Sequence, residues 1–386
     1  MKVLKLMLKN TLRHKLRTAL TILGISVAVV AFGFLRTVVT AWYAGVQASS
    51  PNRLITRNAV SFIFPLPLAY RDKIARIEGV ETVSYMNWFQ GVYIDKNQFF
   101  ARMAVDAETA LSVYPEFLVP NDERETFLRE RNACIVGADL AQQYNFKLGD
   151  VIPIDGDIYP GKWEFVVRAI YQPRDKTVDG TQMWFHWQYL DERMKQETPG
   201  RAGEVGWYII RISNPGDAGR ISEELDALFQ NSRAETKTET EAAFQQGFIQ
   251  GTGLIIQLLN FLSFVIIGII MLVLGNTMIM SARERTKEYA VLKTLGFSGG
   301  HLTVLLAGES LIISVLGAGI GIALSYPIVG LFSLMVPKSW FPIFYIEPVT
   351  LVLAGGAALA VAILAALFPI QRALKTSIVD GLRFVG

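Results

Sequence analysis

The longest stretch of this 386-residue chain without a charged side chain runs from Ala242 to Ala282, 41 residues. About 20 apolar residues suffice for a helix to cross the ~30 Å hydrocarbon core of a bilayer. This run therefore constrains the fold more than any other feature. Three further uncharged, mostly apolar stretches reach a spanning length: Thr18–Leu35, Ser310–Val336 and Val349–Gln371. An apolar content of 51% agrees with a membrane protein. Four spans return the chain to the side on which it starts.

Charge says which side that is. Residues 1–17 carry Lys2, Lys5, Lys9, Arg13, Lys15 and Arg17 and no acid, which places the N-terminus in the cytoplasm. The segment 283–300 and the tail are basic as well. Residues 47–246 hold 22 Lys/Arg against 29 Asp/Glu, a net of −7, so everything else nets +10 and the total is +3. The expected organisation is a cytoplasmic amphipathic helix over 1–17, with Leu4, Leu8, Leu12 and Leu16 at helical spacing, and a first span with the start of a stalk over 18–46. Residues 47–240 form the extracytoplasmic domain and 241–282 the stalk and second span. A short cytoplasmic helix occupies 283–297, the third span 300–336, a short outer loop 337–348, the fourth span 349–371 and a cytoplasmic tail 372–386. Trp42, Tyr43, Trp340, Phe341, Phe344 and Tyr345 sit where interface aromatics belong. The basic start followed by an apolar run also has the outline of a secretory signal. Its run is longer than a signal core, and cleavage would leave an odd number of spans.

The extracytoplasmic segment reads as α+β. "LAYRDKIARIEGV" has helical spacing at Leu68, Ile74 and Ile77. "ETVSYMNWFQGVYI", "FFARMAVDA", "WEFVVRAIYQP" and "GWYIIRI" read as strands, and "ACIVGADLAQQYNFKLGDVIPI" as strand, short helix, Gly turn and strand. "DAGRISEELDALFQ" reads as a helix capped by Asp217. The order suggests two subdomains, one from both ends of the segment and one inserted at about 100–190. The Gln, Asn and Gly residues of "AAFQQGFIQGTGLIIQLLN" suit a helix that begins outside the membrane. The fold class expected is thus an α-helical membrane protein with four transmembrane helices and a large α+β domain between the first and second.

No catalytic machinery is legible. The chain lacks G-x-x-x-x-G-K-[ST], so it has no phosphate-cradling loop. His14, His186 and His301 are scattered, no Cys/His cluster offers a metal site, and no Ser/His/Asp set stands out. Asp155 and Asp157 near a Gly turn read as solvated acids. Cys134, the single cysteine, has no intrachain disulfide partner and reads as a core residue. Glu309 is the one charge between His301 and Lys338. A buried structural partner, interfacial exposure and ion transport are its three readings, the structural one weighing most.

Between the second and third apolar runs lies "RERTKEYAVLKTLGFS". Arg283 to Leu295 contains helix formers without Gly or Pro, and Gly296 marks a stop. Glu284 and Glu288 share a side with Arg285; Tyr289, Leu292 and Leu295 form an apolar face. This stretch is either a solvated juxtamembrane loop or a short helix that docks into a groove on a partner protein.

This stretch resembles the cytoplasmic helix of FtsX-like permeases, the membrane subunits of MacB- and LolC/LolE-type ABC transporters, through Glu288, Tyr289, Ala290, Val291, Leu292, Leu295 and Gly296. Tyr289 departs from the Ile more usual there. Arg17–Ile25 resembles the family's first span, "IEGVETVSY" and "VGADLAQQYNFKLGD" its extracytoplasmic domain, and Pro369, Ala373, Ile378, Leu382 and Arg383 its tail. Glu309 matches an acid common in its third span. The resemblance implies a dimer with a second permease copy or a paralogue, bound to two copies of an ABC ATPase subunit. ATP and Mg would be bound by that partner, and this chain would be neither an enzyme nor a nucleic-acid binder. It also implies an inner-membrane location, and a periplasmic adaptor, carrier or outer-membrane protein as a further partner. The coupling helix would comprise Arg283, Glu284, Arg285, Lys287, Glu288, Tyr289, Ala290, Leu292, Lys293, Leu295 and Gly296. Through it, ATP-driven motion would be transmitted to the periplasmic domain for efflux or lipoprotein release. An FtsX-like regulator of a cell-wall hydrolase and a peptide-sensing or resistance permease are the alternatives.

Overall fold

A computed structural model of the chain describes residues 7, 11, 13–96, 98–250, 253–335, 341 and 343–375. Most of the helix expected over 1–17, Trp340 and the tail beyond Lys375 lie outside the described residues. Thirteen strands are described: β1 (Arg53–Asn58), β2 (Leu66–Pro67), β3 (Val80–Trp88), β4 (Gly91–Val92), β5 (Arg102–Val105), β6 (Phe117–Leu118), β7 (Ala133–Gly137), β8 (Val151–Gly156), β9 (Gly161–Pro173), β10 (Met183–His186), β11 (Glu204–Val205), β12 (Trp207–Ile212) and β13 (Thr236–Thr240). The helices are α1 (Lys15–Ala48), α2 (Tyr70–Ile74), α3 (Ala110–Val113), α4 (Asn121–Arg129), α5 (Ala138–Tyr144), α6 (Trp187–Glu197), α7 (Ala218–Leu228), α8 (Glu241–Gln250), α9 (Gly253–Glu284), α10 (Thr286–Thr294), α11 (Gly299–Met335) and α12 (Pro348–Lys375). The chain divides into a helical unit (1–41, 252–335 and 344–386) and an α+β unit (42–251 and 336–343).

In the helical unit, α1, α9, α11 and α12 are long and apolar enough to cross a membrane. At 34 residues α1 is about 51 Å long, well beyond the hydrocarbon core. Close packing here rests on small side chains, because lipid gives apolar helices no hydrophobic reason to associate. Gly317 and Gly321 of α11 lie against Ile25 and Val29 of α1, where an added methyl would come within 2.7 Å of either side chain. Ser26 Oγ donates to the Gly317 carbonyl at 2.9 Å. On another face of α11, Ser310 and Ser314 donate to the Ala362 and Ala358 carbonyls of α12 at 2.8 and 2.7 Å. Ser310 and Ser314 on one face and Gly317 and Gly321 on another thus hold α11 between α12 and α1.

In the α+β unit the main sheet runs β13-β1-β12-β3-β5-β10-β7-β9-β8-β4, and β6 pairs with β9. Strands from the two ends of the segment occupy one half and those from 91–186 the other, joined where β3 pairs with β5. The two expected subdomains therefore share one sheet, and they share cores as well. Side chains alternate along each strand: Leu54, Tyr85, Ala104, Cys134, Phe185 and Ile210 pack on one face, Ile55, Met86, Val105, Ile135, Trp184 and Ile209 on the other. The first face is buried as far as β8, through Ile152 and Ile154, whereas on the other face β8 exposes Val151, Pro153 and Asp155. The edge strand β13, "TKTET", has no apolar alternation. It is held by Asp226 of α7, which accepts from Thr236 Oγ1 at 2.9 Å, Thr238 N at 2.9 Å and Thr238 Oγ1 at 2.8 Å. Asp217 precedes α7 but makes no side-chain cap, contrary to the sequence expectation; Asn214 Oδ1 instead accepts from Gly216 N at 3.0 Å.

Phe89 is the hub of the larger core. Its ring centroid lies 5.1 Å from Phe185, 5.2 Å from Trp163, 5.7 Å from Tyr159 and 5.8 Å from Phe165. Phe89→Ala is expected to destabilise the α+β unit by about 3–5 kcal/mol. A urea titration of the solubilised full chain, followed by tryptophan fluorescence, checks this; an unchanged midpoint would contradict the assignment.

Candidate coupling site

The stretch 283–297 is two pieces. Arg283 and Glu284 end α9, the backbone breaks at Arg285 (φ −101°, ψ 15°), and α10 begins at Thr286. At the break Thr286 Oγ1 donates to the carbonyls of Ala282 at 3.2 Å and Arg283 at 2.9 Å. At the other end Gly296 takes a left-handed φ of +89°. Its N–H donates to Lys293 O at 3.1 Å and that of Phe297 to Leu292 O at 3.0 Å, a Schellman closure. The helix is thus shorter than the continuous 283–295 expected from sequence.

Its inner face is tied to three spans. Arg285 Nη1 donates to Glu309 of α11 at 2.9 Å and its Nε to Glu288 at 2.9 Å; the Arg285 and Glu309 side chains are only 10% and 8% exposed. The guanidinium also lies 5.6 Å from the Tyr289 ring centroid. Glu288 pairs further with Arg13, ahead of α1. Arg17 of α1 forks onto Glu284, Nη1 to Oε2 at 2.8 Å and Nη2 to Oε1 at 2.6 Å. Lys293 Nζ donates to the Ala373 and Leu374 carbonyls at the C-terminal end of α12, 3.0 and 3.1 Å away. Tyr289 is buried with Ala282, Leu302, Leu306 and Ala373, Leu292 packs against them, and Ala290 is buried as well.

The electrostatics follow from burial and pairing. Burial alone would lower the Arg285 guanidinium, but Tyr289, Glu288 and Glu309 outweigh it and hold it above its ordinary value. Burial likewise pushes the Tyr289 phenol up to about 12, against the opposing pull of Arg285. For Glu288 burial works upward, yet the hydrogen bonds from Arg285 and Arg13 leave it below the ordinary carboxylate range. A folded value below the unfolded one means that its hold on α10 is complete above that range and is lost as pH falls through the lowered value.

The outer face differs from the sequence expectation. Tyr289 and Leu292 turn inward, whereas Leu295 is 71% exposed and joins Lys287 and Val291 in an outward stripe at i, i+4 and i+8, with Arg283 beside it. Val291 was not among the site residues named from sequence; its place in that stripe is the signal that identifies it. Among the described residues no group of three or more His, Cys, Asp or Glu side chains is placed to hold a metal ion.

Removing one member of a buried pair leaves an uncompensated charge, whereas replacing both does not. Arg285→Met alone is expected to cost about 3–5 kcal/mol. Adding Glu309→Leu should recover most of that loss. Thermal denaturation of the four variants in detergent measures the cycle; equal losses in the single and double variants would refute the pairing.

Known proteins share this architecture. The MacB-like periplasmic core domain family matches residues 18–228, and the FtsX-like permease C-terminal family matches residues 260–378. An uncharacterized ABC transporter permease of Methanocaldococcus jannaschii is 22% identical over 352 residues, covering 82% of this chain and 80% of that protein. The macrolide export ATP-binding/permease protein MacB of Chromobacterium violaceum is 29% identical over 249 residues. That match covers 61% of this chain but only 36% of MacB. The crystal structure of the periplasmic region of MacB from Actinobacillus actinomycetemcomitans aligns with 53% of this chain and 95% of its own, at 12% identity and a TM-score of 0.37. With one family matched across the first span and α+β unit and the other across the later spans, the chain belongs to the MacB-type, FtsX-like family of ABC transporter permeases.

Proposed function

We propose that this chain is the membrane subunit of a MacB/LolCDE-type transporter and that α10 is where ATP-driven motion enters it. The observation that carries the reading is the two-sidedness of α10. One side, together with Arg285 at its start, is bound to Arg13 ahead of α1, to Glu309 of α11 and to the Ala373 and Leu374 carbonyls of α12. The other presents Lys287, Val291 and Leu295 outward, a narrow apolar stripe with a basic margin suited to a groove on a partner. The proposed partner is a separate ABC ATPase subunit, present in two copies, which binds ATP and Mg. The permease pairs with a second copy or a paralogue.

In this reading the complex sits in the inner membrane with both chain ends in the cytoplasm. Closure of the ATPase pair displaces α10, the ion pairs pass that displacement to the spans, and the α+β unit on the periplasmic side changes conformation. The work done is export or extrusion, as efflux or lipoprotein release, with an adaptor, carrier or outer-membrane protein receiving the substrate. The FtsX-like match over 260–378 fits a non-transporting regulator of a cell-wall hydrolase too. The extent of the α+β unit, 42–251, and the MacB-like match across it favour export.

Val291→Asp/Leu295→Asp alters only the outer stripe, and Ala290→Pro breaks the helix itself. Complexes isolated from native membranes through a tag on either variant are expected to lose the co-purifying ATPase subunit and fall to background ATP hydrolysis. Undiminished co-purification and hydrolysis would refute the role of α10.

A further inference from the structure

The α+β unit carries an apolar loop that its own core leaves bare. Residues 59–65, "AVSFIFP", follow β1 and contain no charge. Val60 is 81% exposed, Ile63 78% and Phe64 53%. The loop is nevertheless ordered: Val60 N donates to Asn58 Oδ1 at 3.0 Å and Phe64 N to Ser61 O at 3.2 Å. Single exposed apolar residues are ordinary, but a contiguous set on a fixed turn marks an interaction surface.

Its position within the unit says what it meets. Phe62 packs edge-on against Phe248 of α8, ring centroids 5.1 Å apart, and Phe248 is itself 49% exposed. Helix α8 runs antiparallel to the last turns of α1. Ser50 N donates to Glu241 Oε2 at 2.8 Å, and a methyl added at Gly45 would lie 3.3 Å from Gln245 Oε1. Continuing that register sets Phe248 level with Trp42, whose ring meets Phe341 edge-on at 5.6 Å. Trp42 lies seven residues past Leu35, the last residue of the first apolar run, or about 10 Å along the helix. That distance reaches the outer edge of the headgroup layer, where Trp and Tyr anchor membrane proteins. The chain enters the unit at this end through α1 and leaves it towards α9 through α8. Within the unit, the loop therefore lies at the same end as Trp42, Phe248 and Phe341.

We propose that Val60, Phe62, Ile63, Phe64 and Phe248 form a lipid-contacting foot that enters the bilayer interface on the α+β side of the membrane. Its occupant is membrane lipid, met by apolar side chains without charge selectivity. Such a foot limits how far the α+β unit can lift or turn without extracting aromatic rings from the interface. The inference rests on the spans and this loop, not on the ATPase coupling of α10.

The test uses the full chain in phosphatidylcholine nanodiscs with Ile63→Cys labelled by bimane. Cys134 is fully buried and does not compete for label. Gly219→Cys, exposed beyond the opposite end of β12 with open space at its Cβ, is the reference, and Val60→Cys is a second position should Ile63→Cys misfold. Brominated lipid is expected to remove roughly half of the emission at residue 63, as befits a side chain some 5–10 Å into the interface, and none at residue 219. Aqueous iodide should do the reverse. Quenching of residue 63 by iodide alone would overturn the proposal, as would shielding from both quenchers, which would mean that protein covers the loop.

Discussion

Arg285 is the residue on which the α10 end of the helical unit depends. It stands where the backbone breaks between α9 and α10, and its guanidinium reaches Glu288 on the short helix and Glu309 on α11. A carboxylate placed inside a span is costly unless paired. Glu309 is therefore stable only while Arg285 stays in place, and Arg285 stays only while α10 is docked. One ion pair thus makes the position of a nine-residue helix and the state of a span a single variable. Glu284–Arg17 and Glu288–Arg13 extend the same dependence to α1. These outer pairs are partly exposed and individually weak; they align the helix and leave the strong constraint to Arg285.

Rigidity along the spans complements this constraint. Gly317 and Gly321 let α1 approach α11, and Ser310 and Ser314 bond α11 to backbone carbonyls of α12. Contacts made by glycine and serine have little slack, since no long side chain can rearrange to absorb a shift. In the proposed reading, a displacement applied near Arg285 would be carried along α11. In the α+β unit one continuous sheet carries a core on each face.

Much of this was legible in the residues. The four apolar runs fixed the spans because lipid imposes a length and forbids charge. Strands β3, β5, β9 and β12 were legible because each is largely apolar and ends at turn residues. β13 was not, since "TKTET" is held by the Asp226 carboxylate rather than by burial of alternate side chains. The two expected subdomains proved to share one sheet because chain order shows an insertion but not which strand edges meet. At the candidate site, composition identified a helix, yet its inward face could not be chosen. Tyr289, Leu292 and Leu295 share one apolar arc, and with Tyr289 buried beside Arg285, Leu295 is left outward. Glu309 showed in sequence as a charge in need of a partner; the partner, 24 residues earlier, came only from the fold.

The central claim is that the Arg285–Glu309 pair transmits ATP-driven motion rather than merely stabilising the fold. It is tested most directly in the intact complex in nanodiscs, with an environment-sensitive label at Leu118→Cys in the α+β unit. The label is read with and without ATP in the unaltered background and in the Arg285→Met/Glu309→Leu background. The account predicts that the ATP-dependent change in the label's signal disappears in the second background while ATP hydrolysis continues. A signal change of undiminished size there would contradict it.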